Sequence, residues 1–170
     1  MRLARCKTTS QYKPKILTPE QSFQILLALP EPERTLALLA AGTGLRISEC
    51  LGLQWQEVEF ENQQIQVRRA WVHGRVWEPK TEASRAPVPL HPLLADRLRA
   101  WKKETPYSQP TDWLFPSFKL KGRKPRVANM LVSDYLRPAA VQAGVLKPRT
   151  GGMRVGAGGK PGWRKTRRSA

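Results

Sequence analysis

Thr43-Gly44-Leu45-Arg46-Ile47-Ser48-Glu49-Cys50-Leu51-Gly52-Leu53 is the stretch on which the reading of the fold turns. Gly42 and Gly44 loosen a turn ahead of a short amphipathic helix, and Arg46 stands at its start. Arg46 and Glu49 are three residues apart and share a helix face, while Ile47, Cys50, Leu51 and Leu53 offer an apolar side for burial. A guanidinium held beside a helix N-terminus suits an anionic oxygen cluster such as phosphate, because its planar fork and free backbone N–H groups converge on one anion. An ordinary surface Arg–Glu pair is the alternative reading of the same spacing.

Upstream of that turn, residues 1–16 are basic, polar and aperiodic, as expected of an arm or linker remnant. Thr18-Pro19-Glu20-Gln21 then carries the marks of a helix start: a capping threonine, proline at the first helical position and glutamine where a capping box needs it. Phe23, Leu26, Leu27 and Leu29 are expected to face inward before Pro30 ends the helix. A second helix should run from Pro32 through Leu36, Leu38, Leu39 and Ala40 to the glycine break.

Downstream, from Val58, the pattern becomes strand-like. Ile65 with Val67, then Val76 and Trp77, then Val88 and Leu90 suggest three short antiparallel strands. His73-Gly74 would make the first turn and residues 81–84 the second, with Lys80 at the second hairpin's tip beside Arg85. Taken alone, a lysine there is ordinarily just solvated. Pro92 opens a further helix with Leu93, Leu94, Leu98 and Trp101 expected inside, followed by Trp113-Leu114-Phe115-Pro116. The next stretch concentrates Lys119, Lys121, Arg123, Lys124 and Arg126 in one loop, suited to phosphate contact or to simple solvation. A helix over 127–143 would bury Leu131, Val132, Tyr135 and Leu136, bend at Pro138 and stop at Gly144. The chain thus reads as α+β, mainly helical, with a small three-stranded antiparallel sheet.

Composition narrows the partner. Lys+Arg 30 against Asp+Glu 13 gives +17 over 170 residues, a surplus that favours a polyanion such as nucleic acid. More than half of that surplus lies outside the basic segment 149–170. The longest wholly apolar run, residues 36–41, is too short to cross a bilayer, and no apolar leader opens the chain, so no membrane role and a cytoplasmic location are expected. Cys6 and Cys50 lack metal-ligand spacing and there are only two histidines, so no metal site is expected.

Residues 17–150 resemble the catalytic domain of the tyrosine recombinases, the phage integrase family, over its N-terminal two-thirds. The likeness is carried by Leu17-Thr18-Pro19-Glu20, by the Arg46 stretch, and by Pro79-Lys80-Thr81-Glu82-Ala83-Ser84-Arg85 ahead of Val88-Pro89-Leu90. It implies that Arg46 is the first catalytic arginine, Glu49 its supporting carboxylate and Lys80 the hairpin lysine. Arg85 and the basic loop, Lys119, Lys121, Arg123, Lys124 and Arg126, would contact DNA. In that family a tyrosine attacks the scissile phosphate and forms a 3′-phosphotyrosyl bond. Arginines stabilise charge on the phosphoryl oxygens, and the lysine protonates the departing 5′ oxygen. The resemblance implies double-stranded DNA as partner, together with other recombinase protomers. It calls for no cofactor, because phosphotyrosyl exchange conserves bond energy, and for no small-molecule substrate.

The family also carries a His-x-x-Arg box and a nucleophilic tyrosine after the last helix named here. Neither His73 nor His91 is followed three residues later by Arg, and no tyrosine follows Tyr135. The expectation is therefore a truncated recombinase that does not cleave alone, with a non-catalytic DNA-binding protein, or below it an RNA-binding one, as the alternative. Residues 151–170 are glycine-rich, basic and aperiodic, as expected of a disordered tail. Read one base earlier through the genetic code, residues 151–156 permit Trp-His-Ala-Cys-Arg-Arg, which contains His-x-x-Arg, so a frameshifted ending is expected. Sequencing the coding DNA should show the shifted frame continuing into recombinase-like sequence; a frame that meets an early stop or unrelated residues overturns that reading.

Overall fold

A computed structural model describes residues 16–78 and 86–148. Helix α1 (Pro19–Ala28) opens with the full capping box: Gln21 N–H donates to Thr18 Oγ1 at 3.3 Å and Thr18 N–H donates to Gln21 Oε1 at 3.2 Å. Its C-terminal carbonyls are collected by one side chain, since Arg34 donates to Leu26, Leu27 and Leu29 oxygens at 3.1, 3.1 and 2.7 Å. Helix α2 (Glu33–Thr43) ends on Gly44, which sits in the left-handed region at φ 71 and donates its N–H to Ala40 O. Helix α3 (Ile47–Gly52) begins two residues on, and helix α4 (Pro92–Glu104) packs beside α2. The described chain ends in a distorted helix: α5 (Ala128–Leu131), a π-helical stretch Val132–Leu136, and α6 (Arg137–Gln142). The widened turn lies just before Pro138, which lacks the N–H that a regular helix would send to Asp134. Gly144, at φ 68, follows its end.

One core joins these elements. Leu36 and Leu39 of α2, Cys50, Leu51 and Leu53 around α3, Leu94, Leu98 and Trp101 of α4, and Leu114, Phe115 and Leu131 form a single buried cluster with Trp55, Ile65, Val67 and Leu90. Both core tryptophans keep their indole N–H paired: Trp55 Nε1 donates to Tyr107 O and Trp101 Nε1 to Leu114 O, each at 2.8 Å. Arg97 of α4 pairs with Glu31 and donates to Thr35 Oγ1, tying α4 to the start of α2.

The expected three-stranded antiparallel sheet is present, but its members differ from the segments expected. Strands β1 (Val58–Glu59), β2 (Gln64–Ile65) and β5 (Val88–Pro89) form one antiparallel sheet in the order β1-β2-β5. Strands β3 (Ala70–Val72) and β4 (Arg75–Trp77) form a separate two-stranded ribbon, closed at His73-Gly74 with both residues at positive φ. Val76 and Trp77 therefore lie on an exposed ribbon and do not pair beside Ile65. Where the chain leaves the sheet, Arg69 is held by the segment that follows α3, donating to Gln54 Oε1 at 2.7 Å and pairing with buried Glu57 at 2.9 Å. Val67 enters the core on the way.

Several expected core positions also move outward. Leu93 is exposed, because the buried stripe of α4 is Leu94, Ala95, Leu98 and Trp101, and Leu93 stands about 100° off it. Phe23 and Leu27 are exposed on α1, where positions 22, 25, 26 and 29 face α2 and α6; Val132 is exposed as well. Among the described residues, no helix is long and apolar enough to cross a membrane.

Helix α3 and the start of strand β3 approach closely, backbone to backbone, at Gly52. A Cβ built there would lie 2.6 Å from Arg69 O and 3.0 Å from Ala70 Cα, both immovable backbone atoms. Gly52→Ala should therefore lower the folding stability by about 2 kcal/mol or more through overpacking, measured by urea unfolding of the purified variant; an unchanged midpoint would contradict the close approach.

Candidate functional site

Arg46 is the residue immediately before α3, in extended conformation at φ −66 and ψ 148, so its own carbonyl accepts the first helical bonds, from Glu49 and Cys50 N–H at 2.9 and 3.0 Å. Glu49 returns the contact twice. Its Oε2 accepts from Arg46 N–H at 2.8 Å and its Oε1 accepts from Arg46 Nη1 at 3.2 Å. One carboxylate thus sets both the backbone turn and the guanidinium. The arginine side chain is nevertheless 82% exposed, against 20% for Glu49. The fork is oriented from one side and open on the other, the arrangement that lets a cation meet an outside anion without unfolding anything. Behind it, Cys50 is buried and its thiol is pushed up to about 12, first by burial and then by the Glu49 carboxylate. Such a thiol stays protonated and is packing, not a nucleophile.

The two arms of the turn are anchored separately. Gly44 closes α2, and Thr43 Oγ1 accepts from Leu45 N–H at 3.3 Å while donating to Leu39 O at 2.6 Å. On the other side Leu51, Leu53 and Gly52 lock α3 into the core and onto β3. Lys80 and Arg85 fall outside the described residues, between the end of β4 and the start of β5.

Lys119, Lys121, Arg123 and Lys124 are all exposed on one loop. Arg126 is placed differently. Its side chain is 16% exposed, its Nη1 pairs with the buried carboxylate of Glu33, and its guanidinium lies 5.6 Å from the Phe118 ring and 5.7 Å from that of Tyr135. The sequence reading grouped Arg126 with the loop's outward charges, but in the structure it is turned to the interior. Glu33, its partner, was missed; the two lie 93 positions apart and no local pattern links them. Glu33, to which the loop's root is paired, begins α2, an eleven-residue helix about 16 Å long, and Arg46 follows the other end of that helix.

A model of the phage integrase family matches residues 15–158. An integrase/recombinase of Escherichia coli is 37% identical over 95 residues, covering 54% of this chain and 26% of that protein. The tyrosine recombinase XerA of Pyrococcus furiosus is 27% identical over 135 residues, 76% of this chain and 43% of its own length. The chain therefore spans between about a quarter and two-fifths of the length of these curated relatives. Among solved structures, the Tn1549 transposon integrase in complex with circular intermediate DNA superposes with a TM-score of 0.59 at 22% identity, over 79% of this chain and 54% of that one. A crystal structure of XerA recombinase gives 0.58 at 19%, over 80% and 45%. At those identities the structural likeness is one of fold.

Proposed function

The chain belongs to the phage integrase family of tyrosine recombinases, and we propose that its own activity is to grip duplex DNA by the phosphate backbone, with Arg46 at the scissile position. The observation that carries the proposal is the exposed Arg46 guanidinium held in place by two contacts from one carboxylate. A cation prepositioned in this way loses little conformational freedom on meeting phosphate and is aimed where charge grows when a phosphodiester is attacked. Glu49 is its orienting residue. Lys80, the hairpin lysine of the family pattern, is the proton donor to the leaving 5′ oxygen, and Arg85 adds a backbone contact. Lys119, Lys121, Arg123 and Lys124 extend the footprint.

Strand cleavage needs two things more: a nucleophilic tyrosine and a second arginine box. No tyrosine follows Tyr135 and no His-x-x-Arg stands among these 170 residues. The catalytic unit proposed spans residues 17–150, flanked by a basic arm and a basic tail, and other recombinase protomers are the protein partners. A DNA-directed protein of this kind works in the cytoplasm.

The net charge and the exposed basic groups predict that affinity for a mixed-sequence duplex falls steeply with salt, each phosphate contact adding about 0.9 to the slope of log K against log salt. Arg46→Ala should reduce that slope by about one. Fluorescence anisotropy titrations at several salt concentrations measure both, and a flat salt dependence excludes the proposal. Incubated with a nicked suicide duplex, the chain should yield no covalent protein–DNA adduct on a denaturing gel. A trapped adduct would show that it carries its own nucleophile.

A further inference from the structure

The basic loop is built as a closed projection. At its root, Ser117 N–H donates to Lys124 O at 2.8 Å, Arg126 N–H donates to Phe115 O at 3.1 Å, and Pro116 and Pro125 face one another in an antiparallel bridge. Nearer the tip, the N–H groups of Lys121, Gly122 and Arg123 turn back to Phe118, Ser117 and Leu120 at 3.0, 3.1 and 3.1 Å. The tip also rests on an aromatic floor: a Cβ at Gly122 would come within 2.5 Å of the Tyr107 ring, and Phe118 contacts both Trp101 and Tyr107. Lys119, Lys121, Arg123 and Lys124 are exposed to solvent. None of the four has an acidic partner among the ion pairs of the described residues.

Four like charges within six residues repel one another, so something must hold the loop folded. The Glu33–Arg126 pair stands where the loop rejoins the core, with the guanidinium 5.6 Å from the Phe118 ring and 5.7 Å from the Tyr135 ring. That pair is poorly suited to adding stability: Glu33 is 4% exposed, and its second oxygen and Arg126 Nε are buried without hydrogen-bond partners among the described residues. A well-packed apolar pair would serve a core at least as well. What the ion pair supplies is direction, since a planar fork paired at one end and held within reach of two aromatic rings has little freedom to reorient.

We infer that Glu33 and Arg126 are positioning residues that hold the 117–124 loop as a preformed finger, and that this finger contacts duplex phosphates at a second place, apart from Arg46. The inference rests on the DNA-binding reading above. It gives the exposed lysines and arginine a fixed geometry and assigns Arg126 to the interior side of the contact.

The test is a double-mutant cycle on the full chain with a mixed-sequence duplex of about 30 base pairs, read by anisotropy across salt. The finger variant K119A/K121A/R123A/K124A should keep a cooperative melt and reduce the salt slope by about two to four. Glu33→Gln should weaken binding about tenfold, the scale of coupling between residues in one network, yet do nothing in the finger-less background. Arg126→Lys, which keeps the charge but loses the fork, should behave in the same way and covers the case in which Glu33→Gln does not fold. Amide exchange over residues 118–124 should quicken in both variants. Equal losses in both backgrounds would mark the pair as merely structural and overturn the inference, as would a finger variant with unchanged slope. If the finger variant and the wild type bind alike while Arg46→Ala is weakened, only the finger reading falls; a wild-type chain that binds no duplex overturns both.

Discussion

The backbone of Gly52 lies against that of Arg69 so closely that no side chain fits between them, and the site depends on this contact. Helix α3 is only six residues long, too short to hold its own shape in water, because helix nucleation costs more than so few hydrogen bonds return. It persists because Cys50, Leu51 and Leu53 are buried on one side and β3 closes on the other. Arg46 inherits its position from that clamp. An arginine 82% exposed to solvent would otherwise sample many rotamers; here its backbone is the cap of a helix that cannot rotate, and Glu49 restrains its head group.

Charge is used in two ways across the molecule. Arg34, Arg69, Arg97 and Arg126 turn inward, to helix-end carbonyls, to Glu57, to Glu31 and to Glu33. Arg34 gathers the carbonyls at the end of α1, while Arg69, Arg97 and Arg126 join segments distant in sequence. Arg46 and the residues of the 117–124 loop face out. The large positive charge is therefore not one undifferentiated coat. A subset of the arginines builds the scaffold, while Arg46 and the charged residues of the loop are presented to solvent, where a polyanion can reach them.

Local chemistry was legible wherever partners lie within a turn or two of each other. The Thr18–Gln21 box, the left-handed Gly44 and Gly144, the His73-Gly74 turn and the Arg46–Glu49 pair all follow from short-range rules, and all are present. Legibility failed where an apolar residue could satisfy more than one face. Leu93, Phe23, Leu27 and Val132 are as hydrophobic as their buried neighbours, and only the direction from which the next element approaches separates them. The three-stranded sheet was legible but its membership was not. Alternation marks a strand but does not say which strand pairs with which, and the ribbon stands apart from β2, with Arg69 at its base held by Glu57 and Gln54.

By itself the sequence determined the family, the mixed helical and antiparallel class, and the identity of the exposed arginine with its carboxylate, because those features are written in contiguous motifs whose physics is local. Tertiary structure alone decided which charges remain available. Arg126 and Lys124 are two residues apart in the same basic run, yet one is stacked and paired inside while the other stands in water. That difference is made by Glu33, 93 positions away, and a contact between residues so far apart exists only once the chain has folded.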